Sequence, residues 1–399
     1  MSPSPPRVLL TVDDYYASLA AVRALRDAGY EPWVAAGARG TYAERSRATA
    51  GTTIGPEPAE GAQRYVSFVA ETAARIGAAV VLPCTERSLN ALAGREEAFP
   101  PATVLAAPPP ALLARATDKA ELARLAGAAG LGAPTTVELG RDDLAARRSE
   151  LSFPAVLKPA QSTIRVAAVT VDQPPAVRVD SFDELDALLG ERPEGRWLVQ
   201  PFLAGELIAV SGVAWRGELV CACHQVARRI HPPGCGASAL AETVVRDEAV
   251  ERGVAQILGR LGLSGIFELQ LIRAAGAAHA IDFNPRVYGS IGLAIAAGLN
   301  LPAILVDLVL GREPRAGTYR PGVRLRVEER DVRALLADLR AGRLRAAVAG
   351  ALPRPGTVHA IWSLRDPAPT LALVAKLRSR HSRRPAGRAA IVPRPTKSK

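Results

Sequence analysis

Lysine is scarce in this chain. There are five in 399 residues, and only Lys119 and Lys158 precede residue 376. Arginine supplies the other strong cations of that stretch, so these two ammonium groups stand out. A compact ammonium on a flexible stem suits a phosphate met as a point charge, whereas guanidinium is a broad planar fork. Cysteine is also sparse, at four, which excludes a disulfide framework and points to the reducing cytoplasm. No stretch reaches the roughly 18 uncharged apolar residues of a membrane helix. The first sixteen residues lack a cationic start, and their apolar run, Val8 to Val12, ends in Asp13 and Asp14, unlike a signal peptide. There is no internal repeat and no Ser-His-Asp set. Paired Cys-x-x-Cys spacing is missing too. Cys221, Cys223, His224, His231 and Cys235 superficially offer zinc ligands, but His224 points away from the strand face shared by the two cysteines, which read as buried apolar residues.

Positive charge is abundant but unevenly placed. The formal net charge is +11, yet residues 376–399 hold nine Lys or Arg and no acid, which leaves +2 for the rest. That basic tail, rich in Pro, Ser and Arg, reads as disordered and solvated, so nucleic acid is not the expected partner. With 48% hydrophobic residues, the remainder can bury two or three domain cores.

Residues 1–108 alternate strand and helix in the manner of a doubly wound parallel α/β domain. Ligands of such sheets sit beyond the carboxyl ends of the strands. Tyr15 and the loop bearing Thr85 and Glu86 are therefore candidate substrate contacts, with capping of the following helix an equal reading for Thr85. Residues 109–203 hold a helix opening at Asp118-Lys119 and a small α+β unit with Lys158 near the end of an apolar strand. Residues 204–316 turn antiparallel, with a hairpin about Arg216-Gly217. Residues 317–375 form a C-terminal extension, and 323–375 carry mixed elements without a definite placement.

The segment from Ile266 to Asn284 is apolar strand, turn, apolar strand. A three-residue loop ending in Gly276 pairs Arg273 with Ala277 and sets Glu268 opposite Asp282, with Asn284 on the same face. Two facing carboxylates repel unless a cation lies between them. Carboxylate and amide oxygens suit a hard divalent ion, Mg²⁺ with Mn²⁺ as the alternative.

These residues together resemble the ATP-grasp superfamily, in the branch related to the carbamoyl phosphate synthetase large chain and the ATP-dependent carboxylate–amine ligases. The resemblance spans about residues 7–312. It rests on Glu268 with Asp282-x-Asn284-Pro-Arg286 and Gly289-Ser290, on Asp118-Lys119 with Gly132-x-Pro134, on Leu157-Lys158-Pro159, and on Val199 to Leu203 with Gly205-Glu206. It implies an ATP-grasp fold of a parallel α/β domain, a small α+β lid and a larger antiparallel subdomain. It further implies that Lys119 and Lys158 contact the ATP phosphates, that Gln200, Phe202 and Leu203 form an adenine-reading hinge, and that Glu206 meets the ribose. Glu268, Asp282 and Asn284 would hold magnesium, and Arg286 would steady the transferring phosphoryl group. Two positions depart from the pattern. Asp282 stands where glutamate is usual. The loop 160–165 lacks the usual glycines, leaving Ser162 and Thr163 as side-chain donors.

The implied activity couples a small-molecule carboxylate to an amine through an acyl phosphate, with carboxylation, thiol ligation or nucleotide-dependent regulation as alternatives. Arg228 and Arg229 are further candidates for the acyl phosphate, at most one facing the site by strand alternation. Tyr288 and Ser290 are candidates for the substrate pocket. An oligomer is compatible with this reading.

Overall fold

The computed structural model describes residues 4–161, 163–166, 169–172, 174–351, 354 and 356–382; for 163–166, 169–172, 346, 349–351 and 377–382 the description is confined to the backbone. Residues 383–399, most of the basic tail, lie outside it.

The leading unit runs β1 (Arg7–Val12), α1 (Tyr16–Asp27), β2 (Glu31–Ala36), β3 (Gly51–Ile54), α2 (Ala62–Ile76), β4 (Val80–Pro83), α3 (Glu86–Leu92) and β5 (Val104–Leu105). Its five strands are parallel in the order β3-β2-β1-β4-β5. Helices cover both faces, which is why β1 is apolar without alternation and Val8, Leu9 and Leu10 have no exposed surface. The strand order reverses between β1 and β4, the crevice where such sheets receive ligands. Tyr15 follows β1 there.

Two helices lead on, α4 (Pro110–Thr117) and α5 (Lys119–Ala128). The Asp118 carboxylate caps α5 by accepting from the amides of Ala120 (2.8 Å) and Glu121 (3.0 Å), which fixes Lys119 at its first position. The second unit comprises β6 (Val137–Leu139), β7 (Ala155–Pro159), the hairpin β8 (Thr163–Val166) and β9 (Val169–Asp172), then β10 (Val177–Val179), α6 (Phe182–Glu191) and β11 (Trp197–Pro201). Its antiparallel sheet is ordered β10-β7-β11-β6, and Leu157, Val199, Leu185 and Trp197 make its core.

The third unit contains β12 (Glu206–Trp215), β13 (Glu218–His231), β14 (Ala237–Thr243), α7 (Glu248–Leu261), β15 (Gly265–Ala274), β16 (Ala277–Asn284), α8 (Ile291–Ala297) and α9 (Leu301–Val309). The chain then continues through β17 (Arg324–Arg326), α10 (Glu328–Arg340), α11 (Leu344–Ala351), β18 (Thr357–His359) and α12 (Ala368–Ser382). The seven-stranded sheet β16-β15-β12-β13-β14-β17-β18 includes two strands from the stretch that sequence reading leaves without placement. Helix α12 carries the chain through Ser382, so residues 376–382 are helical where disorder is expected. The Lys376 ammonium pairs with Asp14 and lies 3.9 Å from the Tyr42 ring centroid. Among the described residues no single helix is long and apolar enough to cross a membrane.

The hairpin β15–β16 corrects the expected register. Its loop has two residues, Ala275 (φ 49°) and Gly276 (φ 79°), and Ala274 pairs with Ala277. Both loop residues are left-handed, as a two-residue turn matching strand twist requires. A bulge at Ile281 then adds one residue to β16, so Glu268 faces Asn284 and Gln270 faces Asp282. The two carboxylates are diagonal rather than opposite, still on one face.

Candidate functional site

A cavity of about 750 Å³ opens between the small antiparallel sheet and the large one, with Tyr15 and Tyr16 of the leading unit at its wall. Among the described residues, six lining cations, Lys119, Lys158, Arg228, Arg229, Arg286 and Arg330, outnumber three lining carboxylates, Glu206, Glu268 and Asp282. The excess suits a polyanion.

Glu268 on β15 is the buried centre of this wall. Its Oε1 accepts from Gln225 Nε2 (3.1 Å) and Ser290 Oγ (3.0 Å), and its Oε2 from Gln270 Nε2 (3.0 Å) and Asn284 Nδ2 (3.1 Å). Burial raises its pKa above the usual carboxylate value, against the hydrogen bonds and the charge of nearby Arg286, and Asp282 adds to the rise. Among the described residues no protein cation pairs with it directly, so a buried carboxylate is held by neutral donors alone, which a bound cation would relieve. Gln225 Oε1 is buried beside it without a hydrogen-bond partner. Asn284 Oδ1 accepts from Arg286 Nη2 (3.0 Å). Glu268, Asp282 and Asn284 thus bring carboxylate and amide oxygens to one face, a donor set that fits Mg²⁺.

The two lysines meet this face from other elements. Lys119 Nζ lies 3.4 Å from Asp282 Oδ1. Lys158 Nζ donates to the Ile281 carbonyl at 2.8 Å. Ile281 is the bulged residue, and a bulge leaves its extra residue out of the ladder, so the interruption that shifts Asp282 also frees a carbonyl for the lysine. Both ammonium groups are more than 90% buried. Burial lowers the Lys158 pKa to about 8, with Lys119 adding to the fall and Asp282 opposing it.

Further along the cavity, β11 and the chain after it supply Gln200, Phe202, Leu203 and Glu206. Gln200 Nε2 donates to Thr136 Oγ1 (2.8 Å), and the Phe202 amide donates to the Pro154 carbonyl (2.8 Å). The Arg178 guanidinium stacks 4.6 Å from the Phe202 ring centroid.

Arg228 and Arg229 both line the cavity, contrary to strict alternation. The register of β13 slips between Ala227 and Arg229, and a bulge suspends the alternation locally. Arg229 Nη1 donates to Asp331 Oδ1 at 2.6 Å, and Arg228 Nε to Glu242 Oε2 at 2.9 Å. Arg286 approaches Glu86 at 3.5 Å.

Tyr15 and Ser290 line the cavity; Thr85, Glu86 and Tyr288 do not. Thr85 caps α3, its Oγ1 accepting from the Ser88 amide at 3.1 Å. Glu86 stands behind Arg286 instead of facing the cavity. Tyr288 has no exposed surface and packs in the core with Val287 and Ile291, so aromatic packing takes the place of substrate contact. Ser162 lies outside the described residues, and Thr163 is described only as backbone in β8. Cys221 and Cys223 are buried, with thiol pKa values pushed up by burial to about 11 and about 12. His224 meets Glu251 at 2.9 Å.

Sequence reading misses Gln225, Gln270, Tyr16 and Arg330. Gln225 and Gln270 bear ordinary amides in unremarkable strands, and only the pairing of β13, β12, β15 and β16 gathers them around Glu268. Alternation from Glu268 could have found Gln270.

Residues 194–331 match a family described as ATP-grasp in the biosynthetic pathway with Ter operon. No curated protein matches the chain by sequence. Among solved structures, an L-amino acid ligase from Bacillus licheniformis is similar at 16% identity and TM-score 0.60, over 81% of this chain and 79% of that one. An N5-carboxyaminoimidazole ribonucleotide synthetase from Thermus thermophilus is similar at 19% identity and TM-score 0.58, over 80% and 81%. The biotin carboxylase domain of a Hydrogenobacter thermophilus 2-oxoglutarate carboxylase is similar at 13% identity and TM-score 0.60, over 81% and 74%.

Proposed function

The chain has the ATP-grasp fold, and from that premise we propose that it is an ATP- and Mg²⁺-dependent ligase that activates a carboxylate as an acyl phosphate and couples it to an amine. The observation that carries this reading is the meeting of Lys119 and Lys158 with the oxygen face of Glu268, Asp282 and Asn284 in one cavity. Residues 1–108 serve as a leading domain, and 109–203 and 204–316 clamp the nucleotide between them, with the chain from Arg324 extending the second clamp.

A carboxylate resists attack by an amine because oxide would have to leave. In the proposed reaction one carboxylate oxygen attacks the γ-phosphorus of ATP, and the bond to the bridging oxygen breaks to release ADP. The amine then adds to the acyl carbon, phosphate departs, and the amine proton passes to solvent. Little covalent work falls to the protein, so positioning and charge neutralisation dominate. Lys119 and Lys158 hold the nucleotide phosphates as point charges. Magnesium held by Glu268, Asp282 and Asn284 would neutralise charge on the β- and γ-phosphoryl oxygens. Arg286, oriented by Asn284 and Glu86, faces the transferring phosphoryl group, and Arg229, fixed by Asp331, braces the substrate end with Arg228. Gln200, Phe202 and Leu203 border the adenine, and Glu206 the ribose.

The test is a mixture of carboxylates and amines incubated with ATP and Mg²⁺, with nucleotide products resolved and organic products identified by mass spectrometry. The expected products are ADP, phosphate and an amide. AMP with pyrophosphate would refute the mechanism, and a carboxylated product or thioester would move the acceptor to another class.

A further inference from the structure

The cavity cations differ in one respect that points to the substrate. Lys119 has a carboxylate partner in Asp282 and Lys158 a carbonyl partner in Ile281. Arg286 approaches Glu86, Arg229 holds Asp331 and Arg228 holds Glu242. The guanidinium of Arg330, at the start of α10, has neither a carboxylate nor a carbonyl partner among the described residues. Its Nη1 donates to the Tyr16 hydroxyl at 2.7 Å, and its guanidinium carbon lies 5.5 Å from the centroid of that ring. Guanidinium has five N–H donors, so one hydroxyl leaves most of them unused.

The surroundings increase the mismatch. His231, at the end of β13, has a pKa lowered by burial and then by Arg333 and Arg330, so the Arg330 guanidinium acts on its surroundings as positive charge. The group is also held firmly. A Cβ at Gly289 would lie 2.6 Å from the Tyr15 hydroxyl and 2.9 Å from the Tyr16 hydroxyl. The backbone just beyond Arg286 therefore packs directly on the tyrosine that orients Arg330. A half-buried guanidinium placed on a cavity wall by an aromatic ring, with no acid paired to it among the described residues, is a preformed oxyanion reader.

We infer that Arg330, positioned by Tyr16, binds a second acidic group of the substrate, so the acid or the amine carries an oxyanion besides the carboxylate that is activated. The inference rests on the ligase reading for the location of the substrate. The second group is a carboxylate or a phosphate-like group, which share the recognising chemistry.

Binding to the full-length protein in the presence of Mg²⁺ and a non-hydrolysable ATP analogue tests this by calorimetry. The probes are α,ω-diacids of three to six carbons, monoacids of the same length, and the corresponding ω-phosphono acids. At least one dianion series should bind about tenfold or more tightly than its monoacid, as expected for a charge-assisted bidentate contact. Arg330→Met should bring that ratio close to one, Arg330→Lys should restore part of it, and Tyr16→Phe should weaken it. Affinity for the nucleotide analogue should stay unchanged in all three, which separates this claim from the nucleotide site. The carboxylate and phosphono arms identify which acid is read. Equal affinity for dianions and monoacids, saturable binding of neither, or a preference that survives Arg330→Met overturns the inference. Failure of the ligase reading shows separately, as AMP formation in the product assay.

Discussion

At the residue scale, Lys158 is the side chain whose physics is most exposed to test. Burial depresses its folded pKa to about 8, below the ordinary value near 10.4. A depressed lysine pKa means that the unfolded chain binds the extra proton between those values. The stability cost of the buried charge is therefore complete below about pH 8 and disappears as pH rises through the interval. The shift corresponds to about 3 kcal/mol. Other groups change protonation in the same range, the cysteine thiols of the unfolded chain among them, so the informative quantity is a difference. Urea denaturation of the nucleotide-free protein should show wild type gaining about 3 kcal/mol on Lys158→Met between pH 7.5 and 10.5. A constant difference would contradict the burial account. Nucleotide affinity should move the other way, weakening above pH 8 as the ammonium loses its proton.

At the scale of elements, the β15–β16 hairpin was legible in composition but not in register. Ile266 to Asn284 reads as strand, turn, strand because its apolar runs flank a glycine. Whether Ala274 belongs to the turn or to the strand cannot be read from three small residues in a row, and a one-residue bulge at Ile281 has no sequence mark. The two deviations leave Glu268, Asp282 and Asn284 on one face while exchanging which pair stands opposite. Asp118-Lys119 was legible because an N-cap has a side-chain signature, and Thr85 resolves as a cap for the same reason. Ala275 is a non-glycine residue in left-handed backbone, a conformation that asparagine tolerates better. Ala275→Asn should stabilise the protein by about 1 kcal/mol in urea titration, and a loss of stability would contradict the two-residue turn.

At the scale of the whole molecule, the parallel leading unit and the antiparallel body follow directly from strand period and helix punctuation. The stretch 323–375 was not legible. Strand β17 is three residues, Arg324-Leu325-Arg326, held by pairing with β14 and β18, and such a segment has no identity outside its sheet. Sequence reading finds the two lysines by their rarity, whereas Arg330 is one arginine among many. Asp331 sits between Arg229 (2.6 Å) and Arg326 (3.3 Å) and ties α10 to the cavity. A chain ending at residue 382 should retain ADP formation, since that removes only part of the basic tail. Asp331→Asn should reduce turnover about tenfold or more without loss of ATP binding, because a buried arginine deprived of its acid loses its fixed position. Unchanged turnover in Asp331→Asn would detach the C-terminal elements from the chemistry.

The central claim is that one cavity binds ATP with magnesium between the lysines and the Glu268, Asp282 and Asn284 face, and calorimetric titration of ATP with and without Mg²⁺ tests it without knowledge of the substrate. Wild type should bind tightly only with Mg²⁺, Lys158→Ala should weaken binding about tenfold or more while keeping the wild-type far-UV circular dichroism, and Asp282→Ala should lose most of the Mg²⁺ dependence. Affinity that ignores both Mg²⁺ and the two substitutions would contradict the account.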